Sequence, residues 1–261
     1  MPDDRPRPAT APIASRPMRP TEILGAAFGL YRRHWRTLLP VVALAAPLAV
    51  SMPSTRALPT PGGAYQVVVH HRVVATAGSW ADTTVVVLAT LLGVLGLAVL
   101  AGAVTRAAVA AAGGEDVGIG RSYRFAVGRV WPLLAVLVLS WLLVGIGLLL
   151  LVVPGVVIGV QLAVAVPALV AEGLGPGKAL ARSGSLVRGR WWHSLGTLLL
   201  TWLLLGVIVN LFDRAGDVGR SWLAQTVVQG LAIALVTPFA VLVLVLLYLG
   251  LRARQAPPGA D

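Results

Sequence analysis

Residues 186–196 read Leu-Val-Arg-Gly-Arg-Trp-Trp-His-Ser-Leu-Gly and gather Arg188, Arg190, Trp191, Trp192 and His193 within six positions. Such a set suits three chemistries: gripping nucleic acid, building a polar site, or seating a helix at a membrane surface. The other reactive residues assemble no catalytic set. The carboxylates are Asp3, Asp4, Glu22, Asp82, Glu115, Asp116, Glu172, Asp213, Asp217 and Asp261, none deep inside an apolar block, and His34, His70, His71 and His193 are scattered. No Gly-x-Ser-x-Gly or His-Glu-x-x-His occurs; the nearest approach to a phosphate-binding glycine loop, residues 173–180, lacks the hydroxyl and follows no strand. His70 and His71 are adjacent, so on a strand they point to opposite faces and do not chelate one metal together. With no cysteine, disulfides and thiolate chemistry are excluded. The expectation is a chain that is not an enzyme by itself and carries no cofactor and no metal.

The elements that must position these residues follow from the solvent the chain needs. It is 57% hydrophobic and 12% charged, against about 45–50% and about 25% for soluble domains. Its apolar residues fall in long blocks, and a mean hydropathy of +0.84 points to the bilayer. A span takes about 20 apolar residues, and six blocks qualify: Trp35 to Met52, Thr83 to Val104, Trp131 to Val153, Gly155 to Ala171, Leu195 to Phe212, and Leu223 to Leu251. Pro40, Pro47 and Pro167 interrupt the first and fourth, and a tight turn around Pro154 is expected to join the third and fourth as a hairpin.

Charge sets the expected orientation. The net charge is +11, and every one of the 21 basic residues except Arg56, Arg72, Arg214 and Arg220 falls on one side of the six spans. That side is expected to be cytoplasmic, with both termini on it. Residues 1–20, rich in Pro, Ala and Arg, lack an apolar signal region and read as a disordered basic tail. Residues 21–251 form the membrane domain, 53–82 an extracytoplasmic loop with a short β-hairpin, and 252–261 a second cytoplasmic tail.

An internal repeat is visible where the odd-numbered spans begin. Three segments end in Arg-x-Trp at Arg33/Trp35, Arg129/Trp131 and Arg190/Trp192, and each runs straight into an apolar block. The unit is a surface helix followed by a membrane hairpin, used three times. In the first, Ile23, Ala27, Phe28, Leu30, Tyr31 and Trp35 share one face at 100° per residue, while Glu22, Arg32, Arg33 and Arg36 lie opposite. The second departs from this pattern at Phe125, and in the third Leu186 falls on the basic side. The lipid-interface candidates are therefore Arg32, Arg33, Trp35, Arg129, Trp131, Arg188, Arg190, Trp191 and Trp192. Nucleic acid is not expected as a partner.

Inside the spans the polar residues are uncharged: Thr90, Ser140, Gln161, Thr201, Asn210, Gln225, Gln229 and Thr237. This argues against ion coupling, which usually employs a buried charge, and leaves helix-to-helix hydrogen bonding or passage of a neutral solute. Gly155, Gly159, Ala163 and Pro167, spaced by four, permit close helix approach within the chain or between copies. Glu172, ahead of Lys178, Arg182, Arg188 and Arg190, is expected to fold back on Arg182 and pin the third surface helix.

The stretch from Val166 to Trp192 has Pro167, Glu172 and Gly173, then Ala179, Leu180 and Ser183, then Leu186, Val187, Gly189 and Trp191. With residues 22–39, it resembles the bacterial membrane-domain family named for glycerophosphoryl diester phosphodiesterases and related actinobacterial-type multipass proteins. The resemblance covers most of residues 20–251 and implies a membrane module in the bacterial cell membrane. In enzymatic members hydrolysis belongs to a separate domain marked by His-Arg-Gly and a Glu-Asn pair. Here Val73 follows His71 and Arg72, no Glu-Asn pair occurs, and Arg252 to Asp261 are all that follow the last span. The combined expectation is an all-α protein of six transmembrane helices that engages anionic lipid headgroups, a membrane protein partner or a second copy. A translocator of lipid or small solutes, and an anchoring subunit for a soluble hydrolase, are the alternatives.

Overall fold

The structure is a computed structural model that describes residues 19–43, 55–59, 65–69, 72–77, 80–115, 118–217 and 222–255. Its elements in chain order are α1 (Pro20–Ala43), strands β1 (Thr55–Pro59), β2 (Tyr65–Val69) and β3 (Arg72–Ala77), then α2 (Trp80–Ala112), α3 (Ile119–Gly128), α4 (Val130–Leu150), α5 (Val152–Leu162), α6 (Ala165–Glu172), α7 (Pro176–Val187), α8 (Trp191–Asp217) and α9 (Trp222–Ala253). Helix predominates, as composition and block length require.

Five stretches are long and apolar enough to cross a bilayer: Thr90–Ala112, Val130–Leu150, Val152–Glu172, Trp191–Phe212 and Gly230–Ala253. The first expected span, Trp35 to Met52, leaves the described residues after Ala43, as does the expected tail before residue 19. At about 1.5 Å per residue, α2 is ~50 Å long, longer than the ~30 Å hydrocarbon core. One end of it meets β3.

Proline positions explain where helices begin. Pro20 and Pro176 are the first residues of α1 and α7, and Pro132, Pro154 and Pro167 are each the third residue of α4, α5 and α6. Amide N–H groups in a first turn have no intrahelical acceptor, so a missing one costs nothing there. The turn expected around Pro154 is therefore displaced. Leu151 alone, extended at φ −165° and ψ 153°, joins α4 to α5, and Pro154 belongs to the helix. In the following span the Pro167 ring opposes the carbonyl of Ala163, and Val164, at φ −101° and ψ 15°, divides α5 from α6.

The hairpin closes through glycine. A Cβ on Gly147 would stand 2.8 Å from Gly155 Cα, and one on Gly155 would stand 2.5 Å from Leu148 Cγ. Gly155 and Gly159 both face α4, so the small-residue row is occupied within the chain. A second close approach occurs at Gly102 of α2, where an added Cβ would meet Ala126 at 3.2 Å and press into Leu133.

Two apolar clusters form the interior. One joins α1, the end of α2, α5, α6, the end of α7 and most of α9 around Leu38, Leu242, Leu246 and Tyr248. The other joins the end of α1 and the first turn of α7 to α2, α4 and α6, with Ala126 of α3 and Ala234 of α9, around Leu133, Val136 and Leu169. Burial is uneven: 56% of the apolar window of α2 and 47% of that of α9 are buried, against 17% for α4 and 11% for α8. Helices α2 and α9 are central, and α4 and α8 offer their flanks to the surroundings.

Between α1 and α2 the expected hairpin is a three-stranded antiparallel meander in the order β1-β2-β3, with Thr55 opposite Val69 and Tyr65 opposite Ala77. Valine-rich β2 and β3 supply the β-branched residues a sheet prefers, and an irregularity falls between Val67 and Val68. Helix α2 then starts at Trp80, within the stretch expected as loop. His70 and His71 lie outside the described residues.

Candidate functional site

The arginine-rich end of the bundle collects the sequence candidates. Three helix entries carry a break just before a tryptophan. In α1 the break is His34 (φ −115°, ψ 15°), before Trp35; between α3 and α4 it is Arg129 (φ −119°, ψ 23°). Between α7 and α8 it is Arg188 to Arg190, where Gly189 takes φ +91°, a left-handed conformation that suits glycine.

The tryptophans do not all face outward. Trp131 and Trp192 are 76% and 79% exposed and Trp35 is 45% exposed, with the Arg36 guanidinium 5.5 Å from the centre of its ring. Trp191 instead turns inward against the α1/α9 cluster, edge-on to Trp192 at 4.7 Å, and its Nε1 is buried without a partner. It is therefore a packing residue. Phe28, on the apolar face of α1, is 56% exposed and lines a shallow recess with Gly25, Gly29, Arg32 and Arg33. Leu186 is also corrected. It is buried with Ala179, Leu180, Ser183 and Val187, a continuous helical stripe, so α7 is as amphipathic as its counterparts.

Phe125, the exception in the second surface helix, has a specific environment. The guanidinium carbons of Arg106 and Arg129 lie 5.9 Å and 5.6 Å from its ring centre, within cation–π range. Arg106 also makes a 3.8 Å ion pair with Glu115 that is largely exposed. On the same helix, the buried-side Tyr123 hydroxyl donates to the Val41 carbonyl 2.5 Å away, tying α3 to α1, and burial pushes its phenol above the usual range.

A second group surrounds Glu172, the last residue of α6. Gly173 follows at φ +66°, ending the helix in the left-handed conformation that lets the chain reverse. Arg182 Nε donates to Glu172 Oε1 at 3.1 Å, and the Tyr248 hydroxyl donates to the same oxygen at 2.6 Å. Arg182 Nη1 also donates to Gln255 Oε1 at 2.9 Å, while Gln255 Nε2 donates to the Ser185 carbonyl at 3.2 Å. Helices α6, α7 and α9 are thus tied at one carboxylate. Tyr248 and Gln255 are 70 or more positions from their partners, and no local spacing announces them. One signal existed: Tyr248 is the lone phenol in an otherwise apolar run, and a buried hydroxyl needs an acceptor.

Nearby, α8 and α9 form an antiparallel pair that sets Arg190 and His193 beside Arg254. Burial, and then the field of Arg190, lower the Arg254 guanidinium below its ordinary value. Arg32, Arg33, Arg188 and Arg190 are exposed. The structure brings Glu172 and Arg182 together, and the Arg129 guanidinium lies within about 4 Å of where a Cβ on Gly173 would stand. Cationic and aromatic groups of this kind can bind anions and flat apolar surfaces; they supply no acid/base pair. Among the described residues, no three metal-ligating side chains gather.

No family model, no curated protein and no solved structure matches the chain.

Proposed function

We propose that this protein is a non-enzymatic multipass module of the bacterial cell membrane, with six spans in three surface-helix-plus-hairpin repeats. In this reading both termini are cytoplasmic, and the basic surface helices engage anionic lipid headgroups. The observation that carries it is the pairing, at three helix entries, of an exposed tryptophan with arginine: Trp35 with Arg33 and Arg36, Trp131 with Arg129, and Trp192 with Arg190. Tryptophan favours the membrane–water boundary, and each basic residue near an anionic surface adds about 1 kcal/mol of attraction.

The repeat gains support from within the spans. Trp131 and Trp141 recur 61 residues later as Trp192 and Trp202. Leu134, Leu137, Leu139, Leu142, Leu143 and Gly145 recur as Leu195, Leu198, Leu200, Leu203, Leu204 and Gly206. A shared backbone break before each entry tryptophan agrees with this, as does the resemblance to the membrane portion of the phosphodiesterase-named family.

The translocator reading depends on a polar path. Gln161 accepts the Ser183 hydroxyl through its backbone, and exposed Asn210 donates to the Gly206 carbonyl of its own helix. The side chains of Gln225 and Gln229 lie outside the described residues.

The test is the lipid retained by the purified full chain. Phosphatidylglycerol and cardiolipin are expected to be enriched over bulk membrane composition. Replacing Arg32, Arg33, Arg129, Arg188 and Arg190 by glutamine should return the ratio towards bulk. A wild-type ratio equal to bulk overturns the reading. Separately, a reporter fused after Asp261 should read cytoplasmic, and an extracytoplasmic signal reverses the orientation.

A further inference from the structure

One groove lies beside the arginines of the α3/α4 junction. It measures about 580 Å³, lies between α2 and α4, and is walled by apolar side chains, including Leu88, Leu92 and Leu95 of α2 and Trp131, Ala135 and Val138 of α4. Most of its lining belongs to the two stretches Thr90–Ala112 and Val130–Leu150, each long and apolar enough to cross a bilayer. The two walls converge towards the basic end, where Gly102 meets Leu133 and Ala126. Trp131 stands at that end of the groove, two residues from Arg129.

The helical period places the cations in line with it. At 100° per residue, Arg106 falls on the face of Leu88 and within about 20° of Leu95, about three turns or ~16 Å along the axis. Arg106 and Arg129 converge on the Phe125 ring, and Glu115 offsets one of these two positive charges. A net cation therefore sits near the end of the groove, whose lining is apolar.

We propose that the groove and the Arg106–Phe125–Arg129 cluster form one binding site for a phospholipid with an anionic headgroup. The phosphate lies against the two guanidinium groups, and an acyl chain passes Trp131 into the space between α2 and α4. The inference rests on the lipid-engaging function proposed above and assigns it a site. Charge complementarity selects an anionic over a zwitterionic headgroup. The wholly apolar lining selects a chain over a free anion.

Trp131 is a built-in reporter, since a lipid with brominated chains quenches a tryptophan that it touches. The full chain is reconstituted in phosphatidylcholine vesicles containing a few mole per cent of either dibromo-phosphatidylglycerol or dibromo-phosphatidylcholine. The Trp131 share is the quenching lost in Trp131→Phe. Phosphatidylglycerol is expected to quench that share about fivefold more than phosphatidylcholine, the factor corresponding to one net charge at the surface. Arg106→Gln with Arg129→Gln should bring the two lipids level, and Ala135→Phe, which fills the groove without touching charge, should lower quenching by both.

Equal quenching in the wild type overturns the site, as does Trp131 quenching by both lipids that Ala135→Phe leaves undiminished. An excess removed by millimolar inorganic phosphate assigns the arginines to a free anion instead. Loss of quenching by both lipids as protein density rises assigns the groove to a second copy. The wild-type comparison needs only Trp131→Phe, at an exposed position. Where bulk anionic lipid is still retained but the Trp131 excess is missing, this site fails and the broader reading stands; where retention also fails, both fall.

Discussion

Glu172→Ala should destabilise the protein by about 3 kcal/mol, whereas Tyr248→Phe should cost about 1 kcal/mol. The asymmetry comes from what each change leaves behind. Glu172 Oε1 accepts from both Tyr248 and Arg182. Removing the carboxylate strands the Tyr248 hydroxyl, on a residue with no exposed surface, and a buried unsatisfied donor carries its full desolvation penalty. Removing the hydroxyl instead deletes donor and need together, and Arg182 continues to hold Glu172. Arg182 keeps Gln255 in either case, which limits the loss below that of an isolated buried charge. Glu172→Gln should fall between the two, because an amide oxygen still accepts but no longer attracts the guanidinium.

The readouts are thermal inactivation in detergent and trypsin cleavage. Lys178, Arg182, Arg188 and Arg190 stand in or beside α7, so releasing that helix exposes several sites at once. Equal inactivation of Glu172→Ala and Tyr248→Phe, with cleavage unchanged in both, would falsify the tie between α6, α7 and α9.

A second large effect is expected at the α4/α5 hairpin. Gly155→Val should cost about 3 kcal/mol or more, at the upper end of overpacking, because the new Cβ would lie 2.7 Å from the Leu148 backbone nitrogen as well as 2.5 Å from its Cγ. Backbone cannot swing aside as a side-chain tip can. Gly159→Ala, one turn on, is the control. Its Cβ would meet only Val144 Cγ2 at 3.8 Å, an ordinary contact, and alanine is the better helix former by about 1 kcal/mol. Monodispersity and melting temperature should therefore fall for Gly155→Val and hold or rise for Gly159→Ala. Matching behaviour of the two would sink the close-packing account.

What was legible in the chain depended on how local its cause was. Long apolar blocks impose helices because every backbone polar group in hydrocarbon must be satisfied within its own segment. Glu172 and Arg182 were recognisable as partners because ten residues and a glycine turn separate them. The Leu151 turn was not: proline reads as a turn residue, yet at the third helical position it is equally at home. Trp191 and Leu186 show a further limit. Adjacent tryptophans share one local signal, and only the neighbouring α1 and α9 decide which ring turns in. Leu186 looked misplaced against Arg182 and Arg188, but its stripe is defined by what α7 rests on. The Phe125 cluster and the Tyr248 tie join residues from separate helices, and helix packing alone brings them together.

The uneven burial of the helices has a consequence for biogenesis. The helix with the least apolar window, α2 at a mean hydropathy of 1.9, is also the most enclosed, whereas α4, at 2.8, is barely covered. The composition of α4 alone favours partition into lipid, and apart from its hairpin partner α5 little of it is covered. For α2, which carries Arg106 near its end, neighbours must supply what lipid does not. A chain made from its N-terminus reaches α2 before α3, α4 and α9 exist. It therefore passes through a stage in which its future centre is the segment least committed to the membrane, and the hairpins that follow secure it there.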